Sequence, residues 1–208
     1  MIPLFVDCSG RQVIIFGGGE VAYRKTLFFL REAGVTVVSR SFGEKIAGLD
    51  IRRVEEDLSR ISEEELDTLI DSAFLVVAAL SDPDLNNRIG RHCRRKGILF
   101  NNADGIPGDV IIPSVTPAEN YTLAITTGGS SPAISRFIRE HLEAEFPAMD
   151  AMIALQNELR EKLRGSEPLQ RRRNEILREI LQDQEIWDLL KEDPASARER
   201  VLGRYIHG

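Results

Sequence analysis

The sequence has few of the residues that build metal sites and disulfide frameworks. It contains two cysteines, Cys8 and Cys93, and three histidines among its 208 residues. The cysteines lack the paired spacing of a zinc or redox motif, and the histidines lie on different segments. We therefore expect no metal site, and two reduced thiols are typical of a protein in a reducing compartment.

An excess of positive charge and long apolar runs are also missing. The formal net charge is −6, and without a basic excess we expect no nucleic-acid partner. The longest apolar runs, such as residues 74–80, are far too short to cross a bilayer, so no membrane partner is expected. Residues 1–7 lack the basic segment that begins a secretory signal. Together these absences predict a soluble cytoplasmic protein.

A glycine-rich turn between a strand pattern and a helix pattern is the strongest feature present. Residues 13–16 are an apolar run typical of a buried strand, and Gly17-x-Gly19-x-x-Ala22 follows with the spacing of dinucleotide-binding loops. Gly17 allows a tight turn, Gly19 lets the backbone approach a pyrophosphate, and Ala22 lets the helix pack closely. A plain tight turn is the alternative. The cofactor-binding residues predicted here are Gly17, Gly18, Gly19, Glu20, Val21 and Ala22.

Strand and helix patterns alternate through the first half of the chain. We expect the first helix over residues 20–33, with Gly34 as its left-handed C-terminal residue. Asp82 and Pro83 have the pattern of a helix start, and Gly97 ends that helix. The further strands are expected at residues 35–38, 51–54, 74–79 and 98–101. This alternation predicts an α/β fold with a Rossmann-type parallel sheet.

The alternation stops after Asn101. Residues 110–113 and 121–127 have strand patterns with no helix between them, which predicts an antiparallel pair, and a helix is expected over residues 132–146. From Pro147 onward the pattern is helical throughout, with new helices beginning at Pro168 and Pro194. We predict three parts: a nucleotide-binding domain (residues 1–109), a small α+β segment (residues 110–147) and an all-helical C-terminal domain (residues 148–208).

Ligands of a doubly wound sheet bind beyond the carboxyl ends of its strands. The acidic residue that usually binds the ribose hydroxyls is absent after the second strand, and Arg40 could instead pair with the 2′-phosphate of NADP. A solvated arginine lying over adenine explains Arg40 about equally well. The further cofactor-binding residues that this rule predicts are Ser39, Arg40, Ser41, Ala79, Leu80, Asp82 and Asn102.

Asp104 follows the fifth strand, and two interpretations compete for it. Near a nicotinamide ring, a carboxylate could act as a general base or hold a cationic substrate. However, Asp104-Gly105 is also a common turn pair. From the residues alone, the turn is favoured.

A second glycine-rich junction precedes the helix at Pro132. Free N–H groups and hydroxyls at a helix start form an anion site. Simple helix capping by Ser131 is the alternative, although capping does not require the glycine pair, and a solvated helix face is the alternative for Arg136. The substrate-binding residues predicted here are Thr127, Gly128, Gly129, Ser130, Ser131 and Arg136.

These motifs, in this order, resemble the precorrin-2 dehydrogenase family, which includes the amino-terminal part of siroheme synthase and the yeast-type bifunctional dehydrogenase/ferrochelatase. The resemblance covers essentially the whole chain. It rests on Pro3-Leu4-Phe5, residues 13–25, Ala78-Ala79-x-x-Asp82 with Leu85-Asn86, Asn101-x-x-Asp104, Ile112-Pro113-Ser114, and Thr127-Gly128-Gly129-x-Ser131-Pro132 with residues 136–143.

The resemblance implies oxidation of precorrin-2 to sirohydrochlorin with NAD, on the way to siroheme or a related tetrapyrrole. It implies that Asp104 is the catalytic residue that assists proton removal, and that residues 110–147 build a homodimer. Thr127 stands where the family commonly has serine. The resemblance leaves open whether this chain also inserts iron as a ferrochelatase, and NADP stays open beside NAD.

Two other functions also stay open. A nucleotide-sensing regulatory module would not need Asp104 or the loop over residues 128–131, and it would more naturally carry the ribose acid missing here. An NAD(P)-dependent oxidoreductase of another acidic substrate would share the fold but differ in its middle segment.

Overall fold

The computed structural model describes residues 2–206, which divide after Ile112 into two compact units. We call residues 2–112 the first unit and residues 113–206 the second unit. Among the described residues, no helix is long and apolar enough to cross a membrane. The predicted fold class, a Rossmann-type sheet domain followed by an all-helical region, is confirmed.

A five-stranded parallel sheet forms the centre of the first unit, in the order β3-β2-β1-β4-β5. Of its three inner strands, β1 and β4 are almost fully buried because helices cover both faces of the sheet, as parallel sheets require. The strands are β1 (Gln12–Phe16), β2 (Gly34–Ser39), β3 (Arg52–Glu55), β4 (Leu75–Ala78) and β5 (Leu99–Asn102).

Two helices of the first unit begin with capping side chains, and one of them also ends with a left-handed glycine. The Asp82 side chain accepts hydrogen bonds from the first-turn N–H groups of one helix, and Gly97 closes that helix at φ +71°. Both predictions are confirmed. Ser62 and Glu65 form a capping box at the start of another. The helices are α1 (Glu20–Phe29), α2 (Glu44–Ala47), α3 (Glu63–Ile70) and α4 (Pro83–Lys96).

The predicted end of the first helix is wrong. Helix α1 ends at Phe29, where the Phe29 carbonyl accepts from the N–H groups of both Glu32 and Ala33 as the chain turns back. Gly34 does not cap the helix in a left-handed conformation. It opens β2 instead, and its N–H donates to the Arg11 carbonyl over 2.9 Å.

The strand prediction after the first unit is correct in orientation but wrong in its bounds. The antiparallel pair consists of β6 (Ser114–Val115) and β7 (Ala124–Ile125). Residues 110–112 are not part of it because Val110 donates its N–H to the Phe100 carbonyl, and Val110 and Ile112 pack on the core of the first unit. Pro113 has no N–H to continue a ladder.

Helices make up the rest of the second unit. Met152, Leu159 and Leu163 are fully buried in a core that α6, α7, α8 and α9 share. The helix expected at Pro168 begins two residues later, and the one at Pro194 begins as predicted. The helices are α5 (Pro132–Glu145), α6 (Met149–Ser166), α7 (Gln170–Gln182), α8 (Gln184–Glu192) and α9 (Pro194–Tyr205).

Candidate functional site

The glycine loop begins where β1 breaks away from the sheet. Gly17 has φ +124°, a conformation that L side chains rarely adopt, and a Cβ there would lie 2.5 Å from the Ala79 carbonyl oxygen. The Gly17 N–H donates to the Val38 carbonyl over 2.9 Å, and the Ala79 N–H donates to the Phe16 carbonyl over 2.8 Å. The end of β1 therefore lies against the ends of both neighbouring strands.

Gly18 is held by the segment that follows β2. A Cβ on Gly18 would overlap the Ser41 carbonyl oxygen and approach the Ser39 hydroxyl to 2.8 Å. The Gly18 carbonyl accepts from the Gly43 N–H over 2.9 Å, and Ser39 is buried. The middle glycine is thus required by packing between two loops.

Gly19 differs from both because a Cβ there would meet no atom within 4 Å. Gly19 is the N-cap residue of α1, and no side chain caps this helix start. Ala22 is fully buried against the sheet. An uncapped helix N-terminus facing open space fits a phosphate group, so these residues fit the pyrophosphate of a dinucleotide. Glu20 is turned to Lys45, with which it forms an exposed ion pair of 3.0 Å.

The loop after β2 carries the arginine that left NAD and NADP open. Arg40 is exposed, and the Ser41 N–H lies 3.5 Å from the Ser39 hydroxyl. Hydrogen bonds from Ser59 hold the pKa of Asp57 below its usual range, with smaller contributions from Arg60 and Arg40. A carboxylate from the end of β3 therefore lies in the field of Arg40. Sequence reasoning missed this carboxylate because it took no candidate residue from the end of the third strand.

The loop after β4 is fixed by the start of α4. Asp82 uses one carboxylate oxygen to cap the helix, with 2.9 Å to the Asp84 N–H and 3.3 Å to the Leu85 N–H. The fully buried Asn86 accepts from the Leu80 N–H over 3.1 Å and donates to the Leu80 carbonyl over 3.0 Å. Ala79 and Leu80 are half-buried beside the glycine loop.

Asp104 lies in a tight turn at the same edge of the sheet. Its N–H donates to the Asn102 side-chain oxygen over 3.2 Å, and Gly105 follows at φ +122°. The Ala103 N–H donates to the Ala78 carbonyl over 2.9 Å, which joins this turn to the end of β4. Only backbone atoms of Asp104 make these bonds, so its exposed carboxylate is available for chemistry.

Both polar atoms of the Asn102 side chain form hydrogen bonds that support this turn. Its amide nitrogen donates to the Ile106 carbonyl over 2.8 Å and to the Asn87 side-chain oxygen over 3.2 Å. With its oxygen accepting from Asp104, Asn102 uses both ends of the side chain within the first unit. Its predicted contact with a cofactor stays a prediction.

The second glycine-rich junction lies in the second unit. Gly128 and Gly129 both have positive φ, at 68° and 88°. The Thr127 hydroxyl oxygen accepts from the Ser131 N–H over 2.8 Å, and the Ser130 hydroxyl donates to the Thr127 carbonyl over 2.7 Å. Ser131 occupies the N-cap position of α5, but its side chain makes no capping bond there. Capping by Ser131 therefore does not explain this loop.

Two arginines on α5 are engaged by carboxylates one helical turn away. Arg136 donates to Glu140 over 2.7 Å in an exposed pair, which raises the pKa of the arginine. Arg139 is half-buried and donates to both oxygens of Glu143 over 2.7 Å and to the Ser114 hydroxyl over 3.0 Å. Arg139 thus anchors α5 to β6, whereas Arg136 stays at the surface.

Sequence reasoning assigned no role to Lys25 and counted Asn86 only as part of a motif. The Lys25 ammonium donates to the Asn101 side-chain oxygen over 2.8 Å, and burial, reinforced by the nearby Arg24, lowers the pKa of Lys25 to about 8. The one available signal was a polar residue at positions of α1 and α4 that are turned toward the interior of the first unit.

Comparison with known proteins agrees with this geometry. A family model described as "Putative NAD(P)-binding" matches residues 4–114. The sheet and the glycine loop therefore belong to an NAD(P)-binding protein. A precorrin-2 dehydrogenase of Methanosarcina barkeri is 39% identical over 96% of this chain and 91% of its own length. The chain belongs to the precorrin-2 dehydrogenase family.

Two further comparisons extend the likeness. A solved structure of "SirC, precorrin-2 dehydrogenase" superposes with a TM-score of 0.73 at 25% identity, covering 98% of each chain. The siroheme synthase of Nitrosospira multiformis is 36% identical over 83% of this chain, which spans 38% of that longer protein. The predicted family is thus confirmed.

Proposed function

We propose that the protein oxidises precorrin-2 to sirohydrochlorin with NAD in the biosynthesis of siroheme or a related tetrapyrrole. One observation carries the proposal: an uncapped helix start behind Gly19 and the exposed carboxylate of Asp104 lie on loops that follow β1 and β5, at the same carboxyl edge of one sheet and with only β4 between them. The relatives that share this chain's length supply the substrate class.

The cofactor is held by the loops at the carboxyl edge of the sheet. Gly19 and the first-turn N–H groups of α1 bind the pyrophosphate, since a helix N-terminus favours negative charge. The segment Ser39, Arg40 and Ser41 lies toward the adenosine end, where Arg40 lies against adenine. The remaining proposed cofactor contacts are Gly17, Gly18, Glu20, Val21, Ala22, Ala79, Leu80, Asp82 and Asn102.

Asp104 assists removal of the proton that leaves the substrate. The oxidation takes one hydride and one proton from precorrin-2, and NAD⁺, when bound, supplies the hydride acceptor. The carboxylate of Asp104 has no hydrogen-bond partner among the described residues, so it can accept a proton. The chain supplies orientation and charge placement for this step.

The polycarboxylate substrate needs donors that a Rossmann sheet does not provide. The Ser131 side chain does not cap α5, so the first-turn N–H groups of the exposed Ala133 and Ile134 receive no bond from it. We propose that this loop binds substrate carboxylates, with Arg136 released from Glu140 to join it. The proposed substrate contacts are Thr127, Gly128, Gly129, Ser130, Ser131 and Arg136.

We further propose that the chain has a nucleotide domain (residues 1–109), a dimerisation segment (residues 110–147) and a helical domain (residues 148–208). In this proposal, the strands and helix of residues 110–147 build a homodimer. Helix α5 supports it by exposing an apolar stripe, with Ile134 50% and Phe137 66% exposed. We place the enzyme in the cytoplasm because its two cysteines are unpaired and Cys93 is buried.

The function is tested by mixing the protein with NAD⁺ and enzymatically generated precorrin-2. We expect the sirohydrochlorin spectrum to appear together with one equivalent of NADH. No NADH from precorrin-2, with NAD⁺ still bound, would contradict the proposal and leave the nucleotide-sensing module and the oxidoreductase of another acidic substrate. Ferrous or cobaltous ion added afterwards tests metal insertion as a separate activity.

The dimer is tested by Phe137→Asp, with the exposed Asn157→Asp on α6 as the control. Light scattering is expected to report a dimer for the wild type and the control. It is expected to report a monomer for Phe137→Asp, because a carboxylate is costly to bury in an apolar contact. A monomeric wild type would contradict this part of the proposal.

A further inference from the structure

We propose that Asn86 is a positioning residue that holds the cofactor loop at Leu80 and the turn at Asp104 in fixed register. This inference rests on the function proposed above and deepens it. The two loops follow different strands, β4 and β5, and one carboxamide joins them.

Asn86 satisfies three backbone groups with one side chain. Its oxygen accepts from the Leu80 N–H over 3.1 Å, and its nitrogen donates to the Leu80 carbonyl over 3.0 Å and to the Asp104 carbonyl over 3.1 Å. The residue is fully buried. Buried hydrogen bonds of this kind are costly to leave unmade, so Asn86 fixes the position of the Leu80 loop relative to the Asp104 turn.

The chemistry of the three backbone groups requires an amide. Leu80 offers one donor and one acceptor, and Asp104 offers a second acceptor, which together match one carbonyl oxygen and two N–H bonds. Aspartate at this position would keep the acceptor but turn an unpaired oxygen toward two carbonyls. The position of the side chain is set in turn by Asp82, whose carbonyl accepts the Asn86 N–H over 3.1 Å at the helix start.

The adjacent Asn87 provides a natural comparison. Its side-chain oxygen accepts from the Ile106 N–H over 2.9 Å and from the Asn102 amide over 3.2 Å. Asn87 therefore holds the Asp104 turn, but it makes no hydrogen bond to Leu80 among the described residues. Loss of Asn87 should loosen the turn alone, whereas loss of Asn86 should loosen both loops.

The experiment compares Asn86→Asp and Asn87→Ala with Asn157→Asp, an exposed asparagine on α6. Calorimetric titration gives the Kd for NAD⁺, and turnover of precorrin-2 at saturating NAD⁺ gives kcat. We expect Asn86→Asp to raise Kd and lower kcat, each by about tenfold or more. We expect Asn87→Ala to lower kcat while Kd changes by less than about twofold, and Asn157→Asp to change neither.

Folding is checked by the thermal transition of each variant. If Asn86→Asp does not fold cooperatively, Asn86→Ser replaces it under the same criteria, because a hydroxyl satisfies one backbone group without burying a charge. A folded Asn86 variant with wild-type Kd and kcat would overturn the proposal, as would an unchanged Kd with kcat lowered as in Asn87→Ala. A wild type that binds NAD⁺ but does not oxidise precorrin-2 would overturn the proposed function. The ratio of the Kd for NAD⁺ of the Asn86 variant to that of the wild type would still test the role of Asn86.

Discussion

The Lys25 ammonium lies 2.8 Å from the side-chain oxygen of Asn101, within the first unit. Asn101 is buried and makes a second hydrogen bond, since its amide nitrogen donates to the Val110 carbonyl over 2.8 Å. A helix, a strand and the segment that follows the sheet are thus joined by two polar side chains. Burial, with the nearby Arg24, lowers the pKa of Lys25 to about 8 from its usual 10.5.

This contact predicts a pH-dependent stability difference between the wild type and Lys25→Met. Between the folded pKa of about 8 and the unfolded 10.5, the unfolded chain binds more protons at Lys25 than the folded one, so wild-type stability rises with pH. The stability of the methionine variant relative to the wild type should therefore fall across this window, by about 1–3 kcal/mol. Chemical unfolding at several pH values between the two limits measures it.

Lys45→Met, which removes an exposed lysine, serves as the control for the loss of one positive charge. A constant difference between wild type and Lys25→Met across the window would show that the Lys25 pKa is not lowered by folding.

The glycine loop predicts opposite effects for two adjacent glycines. Gly18→Ala places a methyl group on the Ser41 carbonyl oxygen, so it should lower the free energy of unfolding by about 1–3 kcal/mol. Gly19→Val should unfold like the wild type, since its φ of −96° suits any residue and its Cβ meets open space. The valine side chain should nevertheless abolish NAD⁺ binding by filling the phosphate position.

Thermal unfolding and calorimetric titration of both variants separate these effects. A Gly19→Val variant that binds NAD⁺ like the wild type would place the pyrophosphate elsewhere. A Gly18→Ala variant of unchanged stability would contradict the packing against Ser41.

Asp104→Ala is expected to lower kcat by about a hundredfold or more, the usual contribution of a positioned acid or base. Both the thermal midpoint and the Kd for NAD⁺ should stay unchanged, because only the backbone of Asp104 holds the turn. Asp109→Ala, another exposed aspartate of the same segment, is the control. Wild-type turnover in Asp104→Ala would remove this residue from the chemistry.

The buried His92 predicts an acid-sensitive contact between α3 and α4. Its ring nitrogens contact Glu63 and, over 2.6 Å, Asp67. Hydrogen bonds from Arg88 and His92 lower the pKa of Glu63, and the bond from His92 lowers that of Asp67. Their contribution to stability is present above the ordinary values of 4.5 and 3.8, and it is lost as the pH falls through the lower folded values.

His92→Leu should therefore lower the thermal midpoint at neutral pH and make it fall less steeply on acidification. Thermal scans of the variant and the wild type from neutral pH down to about pH 3 provide the measurement. If the thermal midpoints of the two proteins fell in parallel on acidification, the His92 contact would not be the cause of the acid sensitivity.

Local signals in the sequence predicted most of the fold. The apolar run before Gly17, the cap at Asp82 and the left-handed Gly97 each act within a few residues, so their structural outcome is visible in the sequence itself. The end of α1 was mispredicted because Gly34 has two possible uses. A glycine suits a helix terminus, but here the pairing of β2 with β1, set by distant residues, decided its conformation.

The site was predictable where it depends on backbone shape and hidden where it depends on distant side chains. The spacing Gly17-x-Gly19-x-x-Ala22 is enough to predict the glycine loop. Asn86 and Lys25, in contrast, act on residues 18 and 76 positions away, and nothing next to them in sequence indicates their partners. The turn at Asp104 was foreseen from Asp104-Gly105, although its supporting asparagines were not.

The strand order of the sheet also sets the order in which the molecule can assemble. The central strand β1 pairs with β2 and with β4, and residues 17–74, about half of the first unit, separate β4 from it. In the second unit, each helix from α6 to α9 contacts the helix that follows it in the chain, although α6 also contacts α8 and α9. Because nonlocal parallel pairing forms slowly, we expect Trp187 fluorescence to recover early during refolding from denaturant. Nucleotide binding by the first unit should recover later.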